Sequence, residues 1–273
     1  MVLPLRAAIV VSTPDAEFDA LAFKGELSRN VERVARLGYD GVEIAVRDPS
    51  RVNVEEIKHV VDTWELEVPA VGTGQAFLVE GLSLSSPDNS VRKRTVDRLK
   101  LQVEFASNFA AAVILGLIRG NVERGIKRED AFGWLTEGVR MCAEYALGAG
   151  LTVLIEPINR YEVNYINTVA EALELIDAVG MQNVYVLVDT FHMNIEERSI
   201  EDSIKMAGKR VGHVHVADSN RWAPGLGHID FASVKGALEE IGYSGYISAE
   251  ILPKPDPDTA ARRAIQTIRQ VFG

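Results

Sequence analysis

Eight times along the chain, a short run of apolar and β-branched residues gives way to a stretch whose apolar positions recur every three to four residues. The runs lie near 6–12, 40–46, 68–73, 111–117, 151–156, 184–189, 211–217 and 245–250, and read as strands. The stretches between them read as amphipathic helices, with stripes such as Leu27, Val31, Val34 and Ala35. Their ends carry capping signals. Thr168 and Glu171 have the spacing of a capping box ahead of the apolar face Val169, Ala172, Leu173 and Ile176, and Gly180 suits the residue after the helix. Asp230 suits the N-cap of a helix through Val234, Leu238 and Ile241 that stops at Gly242.

Strands that alternate with helices form a parallel sheet. Eight such units in 273 residues match the size of a closed (β/α)8 TIM barrel, so the predicted fold is α/β, one barrel domain spanning 1–273. An open, doubly wound sheet lacks support, because no G-x-G-x-x-G or phosphate-loop pattern follows the first strand. Gly72-Thr73-Gly74 is a faint echo of one, read here as a tight turn between strand and helix.

Composition narrows the class. An apolar fraction of 47% supplies a core, and 25% charged residues is ordinary for a soluble protein. The net charge of −10 argues against nucleic acid or an anionic membrane as partner. The lone Cys142 falls in a helical stretch, reads as a small core residue, and permits no intrachain disulfide. The opening MVLPLRAAIVV reads as a first strand rather than a secretory segment, since Thr13-Pro14-Asp15 follows at once. With no apolar stretch of about 18 residues, no membrane span is expected, and a cytoplasmic protein is.

The chemistry concentrates in the second half. Glu156, Asp189, His215 and Glu250 each lie in or at the end of a predicted strand (LTVLIEP, VYVLVDT, VGHVHVAD, YISAEI). One strand, one helix and two loops take roughly 30–40 residues, close to the intervals of 33, 26 and 35 residues between them. In a barrel, strand C-termini converge on the catalytic face, so these four would meet at one point. Strand alternation places Leu154, Leu187, His213 and Ser248 on the same faces, one step below them. Buried carboxylates are costly unless paired or metal-bound, and three of them beside an imidazole suit a divalent cation. Arg160, Glu162, His192 and Arg221 follow on the loops of the same rim; His192 and Arg221 suit hydrogen bonding to a polyhydroxylated carbonyl compound.

The segments GYDGVEI (38–44), IEPINRYE (155–162), VDTFHMNIEE (188–197), HVHVADSNRWAPGLGHIDF (213–231) and YISAEI (246–251) resemble the xylose-isomerase-like barrel superfamily, and within it the D-tagatose 3-epimerase group of ketose 3-epimerases. The resemblance implies that Glu156, Asp189, His215 and Glu250 bind one Mn²⁺, Mg²⁺ or Co²⁺, with Mn²⁺ preferred, and that Glu156 and Glu250 are also the acid/base pair. It implies too that Glu162, His192 and Arg221 bind the sugar, and that the chain forms a homo-oligomer, a dimer or tetramer.

One segment departs from the group. Where ketose epimerases tend to carry an aromatic, proline-containing loop after the fourth strand, this chain has Gly116-Leu117-Ile118-Arg119-Gly120. Arg119 could favour a phosphorylated or acidic substrate, or be a solvated loop arginine. Glu43 reads as an inward hydrogen-bonding residue rather than a metal ligand. Trp222 could wall the site, while Trp64 and Trp134 read as packing residues in helices.

The expected activity is therefore that of a metal-dependent ketose 3-epimerase, acting by proton abstraction and return at C3 through an enediolate. The alternative is an aldose–ketose isomerase of the hydroxypyruvate isomerase kind, using the same residues between C1 and C2. A DNA-repair endonuclease on this barrel would need more histidine ligands and a basic surface; only one of the five histidines sits at an expected ligand position.

Overall fold

The computed structural model describes residues 5–14 and 16–273; the expectations for 1–4 and Asp15 lie outside them. Eight strands form the ring: β1 (Arg6–Ser12), β2 (Gly41–Ala45), β3 (Ala70–Gly72), β4 (Ala112–Leu115), β5 (Val153–Ile155), β6 (Val184–Asp189), β7 (Val211–Val216) and β8 (Tyr246–Ala249). Each pairs in parallel with the next, and β8 returns to β1 with Arg6 opposite Tyr246 and Ala7 opposite Ile247. The result is a (β/α)8 barrel. A two-residue strand, Phe23–Lys24, pairs with Val11 and Ser12 of β1 beyond the point where β8 leaves it, an addition the sequence pattern does not reveal.

Alternation along the strands sorts the side chains. Leu154 and Leu187 pack with Ala70 and Ile114 in a small apolar cluster, separate from the main core. Their neighbours Val153, Ile155, Val186 and Val188 belong to that main core, with buried helix residues such as Val31, Leu135 and Ile176. Each such buried aliphatic side chain contributes roughly 1.5–3 kcal/mol. The same alternation brings the residue after Leu154 and Leu187 on their face, Glu156 and Asp189, to the C-terminal mouth.

The helix ends follow the expected chemistry. Thr168 and Glu171 form the capping box of helix Val169–Val179, which ends on Gly180 in the left-handed conformation that glycine adopts without cost. Asp230 accepts from the backbone N–H groups of Ala232 and Ser233 at the start of helix Phe231–Glu240. The Gly72–Gly74 segment is a tight turn into helix Gln75–Glu80, with the Thr73 hydroxyl donating to the Ile114 carbonyl at 2.6 Å. Cys142 is buried in helix Arg128–Gly148, where burial pushes its thiol up to about 12 and leaves it unreactive. Trp64 and Trp134 lie under the guanidinium groups of Arg36 and Arg92. No helix among the described residues is long and apolar enough to cross a membrane.

Candidate active site

The four expected residues meet at the mouth. Asp189 ends β6, and its Oδ1 accepts from the backbone N–H groups of Phe191 (2.7 Å) and His192 (3.3 Å), starting the short helix Thr190–Glu196. This fixes the carboxylate and leaves Oδ2 buried with no hydrogen bond. His215 on β7 bonds through Nε2 to both oxygens of Glu43 at 3.0 Å, and Glu43 also bonds His213 Nε2 at 2.9 Å. The other nitrogen of His215, Nδ1, is likewise buried without a hydrogen bond, 3.6 Å from Glu156 Oε1 and 3.8 Å from Asp189 Oδ2. Glu156 and Glu250 follow β5 and β8 directly. Gly116 gives Glu156 its space, because a Cβ there would overlap Glu156 Oε2.

These donors fit a divalent cation. Asp189 Oδ2 and His215 Nδ1 are both orphaned and buried beside Glu156, an arrangement costly for two polar atoms unless something binds them. The Glu43 carboxylate on Nε2 is the outer support that metal-bound imidazoles ordinarily have. The group whose ligand-type atoms all lie within 4.8 Å of one another is Glu156, Asp189 and Glu250 with His192 rather than His215. The Nδ1 of His192, however, is already engaged by Asn159, whose side-chain Nδ2 lies 2.8 Å away and whose backbone N–H donates from 3.5 Å. Glu43, His213 and His215 form another close group, but the hydrogen bonds among them occupy their facing atoms.

Electrostatics agree with a cation-seeking site. Burial, reinforced by the Glu156 and Asp189 carboxylates, pushes Glu250 up to about 8 against the pull of His215 and Arg221. Burial raises Asp189 as well, opposed by His215 and reinforced by Glu156. Burial opposes the charged form of His215, yet the surrounding carboxylates, Glu43 foremost, outweigh it and hold the ring protonated well above the usual imidazole range. Glu43 shows the complement: burial raises it, but His215 and His213 together hold it below the ordinary carboxylate range. The His215 proton thus supplies positive charge where a cation would serve the same carboxylates.

Arg221 spans the mouth. Its guanidinium donates to Glu162 Oε1 (2.7 Å) and Glu250 Oε2 (3.1 Å), and lies between the rings of Phe18 (4.8 Å) and Phe191 (4.7 Å). Its backbone takes a left-handed φ of 62°, held by Arg221 N–H to the Asp218 carbonyl and Leu252 N–H to the Arg221 carbonyl. Such a conformation in a non-glycine residue costs free energy and persists where surrounding contacts impose it. Gln75 Oε1 accepts from the backbone N–H groups of Glu17 and Phe18, which fixes the segment carrying Phe18. Glu162, His192 and Arg221 all line the cavity with Glu156, His215 and Glu250. No pattern in the sequence singles out Phe18 or Phe191. Asn159 and Gly116 sit inside quoted segments, and their roles become visible only in three dimensions.

Two expectations change. Arg119 does not reach the mouth and is not solvated; it is fully buried, donating to the carbonyls of Leu115 (3.1 Å), Glu156 (2.6 Å), Tyr165 and Ile166 (both 3.4 Å). The 3₁₀ turn Leu117–Arg119 folds the side chain inward, where those carbonyls satisfy it, so it is not available to a phosphate. Trp222 is not among the residues lining the cavity; Phe18 is there beside Arg221 instead. Arg160 also stays outside the cavity, in a two-pronged pair with Glu196.

Residues 31–271 match the xylose isomerase-like TIM barrel family. An L-ribulose 3-epimerase of Methylomonas sp. (strain DH-1) is 31% identical over 279 residues, covering 93% of this chain and 96% of its own. A D-psicose 3-epimerase of Ruminiclostridium cellulolyticum is 33% identical over 227 residues, covering 81% of this chain and 76% of its own. Among solved structures, D-psicose 3-epimerase with D-tagatose from Clostridium cellulolyticum H10 superposes with a TM-score of 0.83 at 26% identity, over 97% of this chain and 99% of that one. The chain thus belongs to the xylose isomerase-like TIM barrel family and, within it, to the ketose 3-epimerases, isomerase-class enzymes that act on carbohydrates.

Proposed function

We propose that the protein is a divalent-metal-dependent ketose 3-epimerase that inverts C3 of a free ketose. The observation that carries the reading is the pairing of Glu156 and Glu250. The buried Glu156 and the half-buried Glu250, from strands three places apart, bring oxygens within 4.8 Å at the cavity, and Glu250 is pushed up to about 8. Inversion needs one group to take a proton from a carbon and another to return a proton to the opposite face, and such a group works best when its pKa lies near the working pH.

Glu156, Asp189, His215 and Glu250 would hold the ion, Mn²⁺ in preference to Mg²⁺ or Co²⁺. A bound divalent cation supplies Lewis acidity toward the carbonyl and hydroxyl oxygens of a ketose. The chain's own groups do the rest. Glu156 and Glu250 exchange the C3 proton, and the enediolate charge that develops on the substrate meets Arg221 and His192. Glu162 holds Arg221 in place and accepts from sugar hydroxyls. Phe18 and Phe191 flank the guanidinium and keep water from it. The names of the relatives support a ketose as substrate and C3 as the reacting centre. A cytoplasmic homo-oligomer, dimer or tetramer, and a single barrel domain complete the proposal.

Incubation in D₂O with Mn²⁺ and D-psicose, D-tagatose or L-ribulose tests it. Deuterium at C3 of recovered and epimerised ketose is the expected result. Deuterium at C1 or C2 with aldose formation would overturn it in favour of the hydroxypyruvate isomerase type of chemistry.

A further inference from the structure

We infer that Asn159 is a positioning residue that sets the tautomer of His192, fixing Nε2–H as a hydrogen-bond donor facing the substrate. Asn159 is buried, and its side chain is oriented without ambiguity: Oδ1 accepts from the backbone N–H of Tyr161 at 3.0 Å, so Nδ2 must point the other way. There Nδ2 donates to Glu162 Oε1 at 2.8 Å and faces His192 Nδ1 at 2.8 Å. The backbone N–H of Asn159 points at the same ring nitrogen from 3.5 Å. Two N–H donors aimed at one nitrogen require it to be an acceptor, so Nδ1 carries no proton. The imidazole must then carry its single proton on Nε2.

Three consequences follow. His192 lines the cavity, and Nε2 makes no hydrogen bond to a described residue, so it is free to donate to a ligand. A protonated Nε2 has no lone pair for a metal, which leaves His215 as the imidazole of the cation site although it is His192 that offers a nitrogen within 4.8 Å of all three carboxylates. Through the same amide, Asn159 also couples His192 to Glu162 and hence to Arg221, so one side chain aligns three groups around the substrate. The donor's target, a ketose oxygen, rests on the proposed epimerase reading; the tautomer does not.

Long-range ¹H–¹⁵N spectra of histidine-labelled, Mg²⁺-loaded protein read the tautomer directly. The chain has five histidines, and His192→Gln assigns the signal by its disappearance. The expected result is Nε2–H with unprotonated Nδ1 on His192 in the wild-type protein, and a switch to Nδ1–H or to the doubly protonated ring in Asn159→Asp, whose carboxylate accepts. Nδ1–H or a doubly protonated ring in the wild type would overturn the inference, whatever the enzyme's substrate. Kinetics with D-psicose, D-tagatose and L-ribulose provide the second reading. Asn159→Asp should lower kcat/KM at least about tenfold, the worth of one hydrogen bond to a developing charge. In a His192→Gln background, whose amide can still donate from the Nε2 position, the same change should cost at least about threefold less than in the wild type, the remaining loss passing through Glu162 and Arg221. An equal loss in both backgrounds would show that Asn159 acts on something other than His192. Absence of turnover on every ketose would count against the epimerase reading alone, and the spectra would still decide the tautomer.

Discussion

His215 donates from Nε2 to the Glu43 carboxylate at 3.0 Å, while its Nδ1 stands 3.6 Å from Glu156 with no hydrogen bond of its own. An acceptor behind the ring fixes both its orientation and the nitrogen it turns toward the carboxylates. Outer partners of this kind commonly tune a metal ligand, and Glu43→Gln should weaken Mn²⁺ binding by about 10–100-fold. Calorimetric titration of Mn²⁺ into the metal-free variant measures this. An unchanged dissociation constant would show that the Glu43 pairing does not support the metal site.

Glu156→Gln and Glu250→Gln should each lower kcat by about 10²–10⁴-fold, the range for losing a positioned general acid or base. Both residues are also proposed ligands, so elemental analysis must accompany the kinetics. Wild-type turnover by either variant with metal bound would remove that residue from the acid/base pair.

The raised carboxyl of Glu250 predicts how the cation and pH interact. A folded-state pKa of about 8, above the unfolded value of about 4.3, means the folded metal-free protein holds a proton that the unfolded chain releases. That contribution is fully present below the unfolded pKa and is lost as pH rises through about 8, so the metal-free protein should lose stability over this window. A cation competes with the same proton, so the rise in Tm on adding Mn²⁺ should be larger at pH 8 than at pH 5.5. A metal-induced shift that is flat across this range would contradict the assignment.

Arg119 should behave as a structural residue. Arg119→Met removes the donor to the Leu115 and Glu156 carbonyls, and each buried acceptor left without a partner costs about 1–3 kcal/mol. Urea unfolding should therefore show a loss of roughly 2–5 kcal/mol. The ratio of kcat/KM for a free ketose to that for its phosphate should stay as in the wild type. A selective loss toward the phosphate would restore the role suggested by its place in the chain.

The sequence by itself determined the barrel and the four residues at its mouth. Period-two alternation sets the face of Glu156 and Asp189 as soon as Leu154 and Leu187 are known to point inward, and parallel strands bring their ends to one rim. The caps at Thr168 and Asp230 were equally legible, because capping is decided by residues three or four positions apart. The loops were not. A loop side chain points wherever contacts with distant residues send it: Arg119 turns inward because carbonyls from 115, 156, 165 and 166 converge on it, and no local pattern encodes that meeting. Phe18 reaches Arg221 on a segment whose backbone N–H groups donate to Gln75, far along the chain. What holds His192 and His215 likewise lies in tertiary structure, where Asn159 donates to the first and Glu43 accepts from the second.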